Sequence, residues 1–252
     1  MAVIFLAAGR GSRMGVLTSS SPKALLRLST GKSILQTNLD HCSSVSELRS
    51  ILVVGGHKWE AIQQFCQQYK PACVSPVYNA RWENSGPVMS IATGLSNVNA
   101  EEERIIVANG DTVFSLSVFE EVLVRSAGIW LVDSLDNEIE LDDMLVSLAA
   151  DGSVQKVEKA GSHTRSGFVS AGMLIASGAD AKAALRDATK LLIERELTEG
   201  RPRPWHDLVE ILSSTGHPVR AVPVSRSEWR EFDSAGCLSR YSVPHLACTS
   251  LC

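Results

Sequence analysis

The chain has few of the features that would mark it for several large classes of protein. Its six cysteines (Cys42, Cys66, Cys73, Cys237, Cys248, Cys252) are scattered through 252 residues, with no C-x-x-C pair. That spacing excludes a dithiol redox motif or a zinc ribbon and leaves reduced thiols in a reducing compartment. The six histidines are equally isolated, and no H-x-x-x-H pair occurs. Any metal is therefore expected to be a hard ion held by carboxylates. No long block of like charges is present, and 24 basic against 28 acidic residues leave a formal charge of −4. A nucleic-acid backbone is thereby excluded as a partner, while a single small phosphate is not. No apolar run approaches the ~18 residues needed to cross a bilayer. The opening Met1-Ala-Val-Ile-Phe-Leu6 also lacks the basic stretch of a secretion signal. A cytoplasmic protein without a membrane partner is the expectation.

What is present suffices for a substantial core: 44% of the residues are hydrophobic and 21% charged. Short β-branched runs at Val3–Leu6, Ile51–Val54, Arg104–Ala108 and Ile129–Val132 read as buried strands. Helical patterns alternate with them at Ser33–His41, Trp59–Tyr69, Met89–Leu95, Leu116–Arg125, Asp180–Glu199 and Trp205–Ser214. Alternation of this kind predicts an α/β fold, a doubly wound Rossmann-like mixed sheet. After Met144 the texture changes. Leu145–Leu148 and Ser153–Glu158 flank Asp151-Gly152 as a hairpin, and Phe168–Ala176 and Val219–Val224 read as further strands. With no repeat or long linker, residues 1–240 read as one domain with added β structure in its second half. Residues 241–252 form a C-terminal tail, either a loose end or a homodimer contact.

The first strand runs directly into Leu6-Ala-Ala-Gly-Arg-Gly-Ser-Arg-Met-Gly15. Glycines at the carboxyl edge of a parallel sheet let backbone N–H groups approach an anion, so this loop is a candidate phosphate site. Its spacing is neither the dinucleotide G-x-G-x-x-G nor a P-loop. Instead Pro22-Lys23 follows ten residues after the loop's Arg13 and could return a lysine beside it.

Together, L-A-A-G-R-G-S-R-M-G at 6–15 and P-K-A-L-L at 22–26 resemble the signature of the nucleotidyltransferases that activate sugar phosphates, phosphocholine and phosphonates. That resemblance implies a GT-A-like nucleotidyltransferase fold. It also implies a nucleoside triphosphate cradled by Leu6, Ala7, Ala8, Gly9, Gly11 and Ser12, with Arg13 and Lys23 neutralising the triphosphate and the departing pyrophosphate. The chemistry agrees, because charge developing on phosphate oxygens needs fixed cations nearby.

A second constellation is Ile105-Ile-Val-Ala-Asn-Gly-Asp111, a buried strand ending in a carboxylate. Alone, Asp111 would serve as well in an Asx turn as on Mg²⁺. Trp229-Arg-Glu-Phe-Asp233, with Leu238 behind it, resembles the W-x-E-[IF]-D-x-x-x-x-L element of the phosphocholine and aminoethylphosphonate cytidylyltransferases. The resemblance implies that Asp233 joins Asp111 as a second metal ligand. Glu231 is the nearest competitor, placed by strand alternation on the same side as Asp233.

Tyr78–Asn84 leading to Ser90 is similar to the N-x-x-[YW]-x-x-x-N-x-x-S stretch of the same enzymes and nominates Asn79 and Ser90 for the base, although Ser85-Gly-Pro87 departs from the usual pattern. As plain structure, Asn79 is a turn residue and Ser90 part of a helix start. Gly152–Lys159 resembles the family's G-x-[VI]-x-x-[VI]-x-K segment, which nominates Lys159 over Lys156 for the acceptor phosphate; a solvated strand lysine is the alternative.

The expectation is thus a Mg²⁺-dependent cytidylyltransferase acting on CTP and a small phosphonate or phosphocholine-like acceptor. A sugar-1-phosphate nucleotidyltransferase and an inactive nucleotide-binding module are the alternatives. The acceptor's identity stays open: choline would call for aromatic faces and an acid, a carboxyl-bearing phosphonate for arginines such as Arg81 or Arg165.

Overall fold

The computed structural model describes residues 1–69, 73–136, 139–140, 142–161, 166–233 and 238. Arg165, residues 234–237 and the tail from 241 onward lie outside these.

Four parallel strands form one half of the sheet: β1 (Ala2–Ala7), β2 (Ser50–Gly55), β3 (Val74–Tyr78) and β4 (Arg104–Asn109). Between them run α1 (Ile34–Ser43), α2 (Trp59–Gln68) and α3 (Pro87–Leu95). The chain then adds β5 (Thr112–Phe114), α4 (Leu116–Leu123) and β6 (Gly128–Asp136). A hairpin of β7 (Met144–Leu148) and β8 (Val154–Lys159) leads into β9 (Gly167–Ser177). The remainder is α5 (Ala179–Glu199), α6 (Asp207–Ser214), β10 (Val219–Pro223) and β11 (Trp229–Glu231). The main sheet runs β10-β6-β9-β4-β1-β2-β3, with β9 antiparallel to both its neighbours, so the expected mixed doubly wound sheet is present.

Strands β1 and β4 are continuous apolar runs because helices cover both faces of the sheet. Ala2 and Ile4 of β1 join the core beneath α3, α5 and α6, while Val3 and Phe5 join the core beneath α1, α2 and α4. Ile4 and Phe5 are fully buried, and removing such side chains from water contributes about 1.5–3 kcal/mol each. The Ser33 hydroxyl accepts the Gln36 N–H to start α1, and Gly200 in the left-handed region ends α5 before Pro202 and Pro204. Among the described residues no helix is long and apolar enough to cross a membrane.

Two strands escape the sequence pattern. β3 contains Pro76 and is tolerated because it lies at the sheet edge; β5 has only three residues. α3 begins at Pro87, two residues earlier than expected, because proline suits the first helical position. α6 begins at Asp207, leaving Trp205 and His206 in the loop.

Candidate active site

The carboxyl ends of β1 and β4, the β8 end and the loop before α6 surround a cavity of about 490 Å³. A smaller cavity of about 390 Å³, beside the start of α5, lies away from this edge and holds no carboxylate cluster among the described residues.

The loop after β1 forms one wall. Gly11 has φ +62°, and a Cβ there would lie 3.1 Å from both Lys23 Cβ and Thr18 Cγ2. The Thr18 hydroxyl donates to Gly11 O at 3.0 Å. A side chain at position 11 would therefore strain the turn and push Lys23 away, so glycine is what lets the Pro22-Lys23 turn close onto the loop. Lys23 and Arg13 consequently face one cavity, as the spacing predicts.

The acidic centre is assembled by a long-range pairing. Antiparallel β5 and β11 set Glu231 opposite Thr112, and the Phe232 N–H donates to Asp111 O at 3.1 Å. Buried Trp229 and Phe232 anchor this element, and Leu238 packs on the Phe232 cluster. Asp111, Glu231 and Asp233 each offer an oxygen within 4.8 Å of the others, all half-buried. The strand stops at Glu231, yet both acids line the cavity.

Lys23 Nζ stands among these acids, donating to Asp111 Oδ2 at 2.7 Å and Asp233 Oδ1 at 2.5 Å. Burial alone would lower the lysine's pKa, but the two aspartates outweigh it and hold it above its ordinary value. Burial first, then the charges of Asp111 and Asp233, push the Glu231 carboxyl well above the usual carboxylate range; it bonds to Asp233. Three acids this close repel, so the cluster needs a cation. Its all-oxygen, carboxylate-rich donor set suits a hard divalent ion. Arg13 Nη1 adds a contact 3.5 Å from Asp233 Oδ2.

At one end of the cavity Asn79 and Ser90 are both buried, with Asn79 Nδ2 donating to Ser90 Oγ at 3.0 Å and Asn79 Oδ1 accepting the Arg81 N–H at 2.9 Å. Trp82 stands beside them, packed 5.4 Å from the His57 ring and 5.3 Å from the Arg10 guanidinium. At the other end Lys159 Nζ reaches Asp142 Oδ1 at 3.1 Å, and Arg13 Nη1 reaches Asp142 Oδ2 at 3.2 Å. Lys159, and then Arg13, hold Asp142 below the usual carboxylate range. Lys156 pairs instead with Glu158 and does not line the cavity, and neither does Arg81.

Sequence reasoning did not single out Asp142, Ser170 or His206. His206 Nε2 lies 3.0 Å from Ser170 Oγ, which also accepts the Gly172 N–H. Trp205 stacks on His206 at 4.0 Å and donates to Asn109 Oδ1. Burial lowers the His206 pKa to about 3, so the imidazole is neutral. The only available signal was Trp-His between a helix-breaking proline and an apolar helix.

The chain belongs to the MobA-like NTP transferase domain family, matched over residues 3–133. It is 26% identical over 140 residues to the UTP–glucose-1-phosphate uridylyltransferase AglF of Haloferax volcanii, covering 54% of this chain and 55% of that one. It thus spans about half the length of that curated relative. Two solved structures share its fold. The CTP:phosphocholine cytidylyltransferase LicC of Streptococcus pneumoniae has a TM-score of 0.73 at 15% identity, over 95% of this chain and 96% of that one. The inositol-1-phosphate CTP transferase of T. maritima has a TM-score of 0.73 at 17% identity, over 94% and 91%.

Proposed function

We propose that the protein is a Mg²⁺-dependent cytidylyltransferase that moves CMP from CTP onto a phosphate or phosphonate oxygen of a small acceptor, releasing pyrophosphate, with residues 1–240 acting as one domain. The observation that carries this reading is the single centre in which Lys23 and Arg13 meet Asp111, Asp233 and Glu231 at the mouth of the glycine loop. In the transfer an acceptor oxygen forms a bond to the α-phosphorus and the α–β bridging bond breaks. The acceptor oxygen is already ionised at neutral pH, so no base is required. A neutral His206 with a pKa of about 3 is in keeping with that. The loop amides and Arg13 hold the triphosphate in line, and Lys23 neutralises the departing pyrophosphate. Asp111 and Asp233, with Glu231 behind, would hold the Mg²⁺, whose chemistry is to neutralise charge on the α-phosphate.

Asp142, held by Lys159 with Arg13 beside it, supports an acceptor phosphate at Lys159: an anion already occupies that position in the fold. The preference for CTP rests on the Trp229–Asp233 element, on Asn79 and Ser90 for the base, and on the likeness to two cytidylyltransferases. The similarity to AglF favours one competing reading, a uridylyltransferase acting on a sugar 1-phosphate. Pyrophosphate release with each of four nucleoside triphosphates, Mg²⁺, and phosphocholine, 2-aminoethylphosphonate, inositol 1-phosphate and glucose 1-phosphate separates them. CTP with one of the first three should be preferred; UTP or dTTP with the sugar phosphate would overturn the reading.

A further inference from the structure

Glu196, near the end of α5, is 8% exposed and belongs to no part of the chemistry above. Its two oxygens serve two different loops. Oε2 accepts the Gly86 N–H at 3.2 Å, and Oε1 accepts the Arg203 N–H at 2.8 Å. No cation pairs with it among the described residues; the Arg203 side chain is taken by Glu199 and Asp207. Gly86 is the cap of α3, the helix that carries Ser90, so the carboxylate also sits at that helix's positive end. Arg203 leads directly into Pro204, Trp205 and His206. Ser85, Gly86 and Pro87 line the cavity near Ser90, whereas Pro204, Trp205 and His206 line it with Ser170.

The close approach is built into the sequence at Gly86. A Cβ there would overlap Glu196 Oε1 and lie 3.0 Å from Arg203 O. Gly86 has φ −75° and ψ 175°, which any residue adopts, so its lack of a side chain serves the contact and not the backbone conformation. A buried carboxylate that accepts only backbone N–H groups costs more than an apolar side chain unless both bonds are made. The departure of Ser85-Gly-Pro87 from the related enzymes' pattern falls at this contact.

We propose that Glu196 is a positioning residue that ties the nucleotide-base wall of the cavity to its acceptor wall, so that binding of the nucleotide orders the segment that receives the acceptor. The inference rests on the nucleotidyl-transfer reading and deepens it: one carboxylate couples the two substrate subsites, and coupling of this kind is reciprocal.

Amide hydrogen exchange with CTP and Mg²⁺, without acceptor, tests the link. In the wild-type protein CTP should slow exchange at 6–13 and 84–90 and also at 200–206, the segment that Glu196 joins to Gly86. Glu196→Ala should keep the slowing at 6–13 and lose it at 200–206. Glu196→Gln, of the same size, retains one acceptor oxygen for two N–H groups and should lose at least half of it, so the test survives if the alanine variant fails to fold. In turnover, Glu196→Ala should raise the acceptor KM about tenfold with kcat within about threefold. Gly86→Ala should reproduce this, and the double variant should be no worse than Glu196→Ala, because the overlap at Oε1 is gone. Undiminished slowing at 200–206 in both Glu196 variants, or additive KM effects in the double variant, would overturn the proposal. Absence of slowing at 6–13 in the wild-type protein would remove the nucleotide reading itself, and the coupling with it.

Discussion

The two ends of the cavity are built in opposite ways. The nucleotide end is almost contiguous: Leu6 to Arg13 and Lys23 come from one strand, one loop and one turn, and Gly11 closes them on each other. The rest of the cavity wall gathers Asp142, Lys159, Ser170, Trp205 and His206, with the end proposed for the acceptor at Lys159, from four separated segments held by the β7–β8 hairpin, β9 and the loop before α6. Between them lies a centre of mixed origin, with Asp111 at the end of β4 and Asp233 delivered across the β5–β11 pair. In the proposed reaction local backbone geometry therefore sets the triphosphate contacts, while tertiary packing sets what the phosphate is joined to.

Each end also holds a stand-in charge. Lys23 occupies the carboxylates nominated for a metal, and Asp142 occupies Lys159, nominated for an acceptor phosphate, together with Arg13, nominated for the triphosphate. The largest expected effect is at the shared centre. Asp111→Asn and Asp233→Asn keep shape and most hydrogen bonding, so each should fold and lose on the order of a hundredfold or more in turnover. A structural Asp233 would instead give an early-melting protein with a normal rate per folded molecule. Lys23→Ala should cost turnover tens to a hundredfold, equivalent to about 2–3 kcal/mol. The same variant should bind Mn²⁺ several-fold more tightly in the absence of nucleotide, read by electron paramagnetic resonance, because the ammonium no longer competes for Asp111 and Asp233. Weaker Mn²⁺ binding would show that Lys23 organises the acids and does not compete for them.

At the acceptor end effects should be smaller. Lys159 is 57% exposed in its pair with Asp142, so Lys159→Ala should change stability by no more than ~0.5 kcal/mol. It should raise the acceptor KM several-fold and leave the nucleotide KM unchanged. A change in the nucleotide KM instead would move Lys159 to the triphosphate.

The pH dependence of stability tests groups outside this comparison of the two ends. Burial lowers the His206 pKa to about 3, so the unfolded chain binds its proton first and stability falls as pH drops from about 6.5. Buried Asp133, whose side-chain oxygens find no hydrogen-bond partner beyond its own backbone among the described residues, is raised by burial to about 6. Its native form keeps the proton longer than the unfolded chain, so stability falls as pH rises through about 4 to 6. The two slopes oppose each other in that window. Glu231, also raised by burial, opposes His206 in the same way, so Asp133→Asn should make stability rise more steeply with pH than in the wild-type protein, by up to roughly 1.4 kcal/mol per pH unit, in urea midpoints measured between about pH 4 and 6. An unchanged slope in that variant would contradict the raised Asp133.

How much of this could be read from sequence follows the same division. β1, β4 and their loops were legible because apolar runs, glycines and the two cations lie within short windows. The Trp229–Asp233 element was legible only through its resemblance, since nothing in its spacing says that Phe232 bonds to Asp111. Asp142 stands in an acidic stretch that reads as solvated surface, and its role appears only when Arg13 and Lys159 converge on it. Glu196 repeats along a charged helix and is distinguished only by the two backbone N–H groups that reach it. β3 and β5 were missed for physical reasons: one is an edge strand containing a proline, the other too short to show a period.

The central claim is that the two ends meet at the carboxylates, so the α-phosphorus passes to the acceptor and not to water. Phosphorus NMR of the wild-type protein with CTP, Mg²⁺ and the preferred acceptor follows every phosphorus at once. The account predicts new anhydride signals from a CMP–acceptor product in equal amount to pyrophosphate, and neither signal without acceptor. Pyrophosphate with free CMP, or orthophosphate released from the γ position, would contradict it.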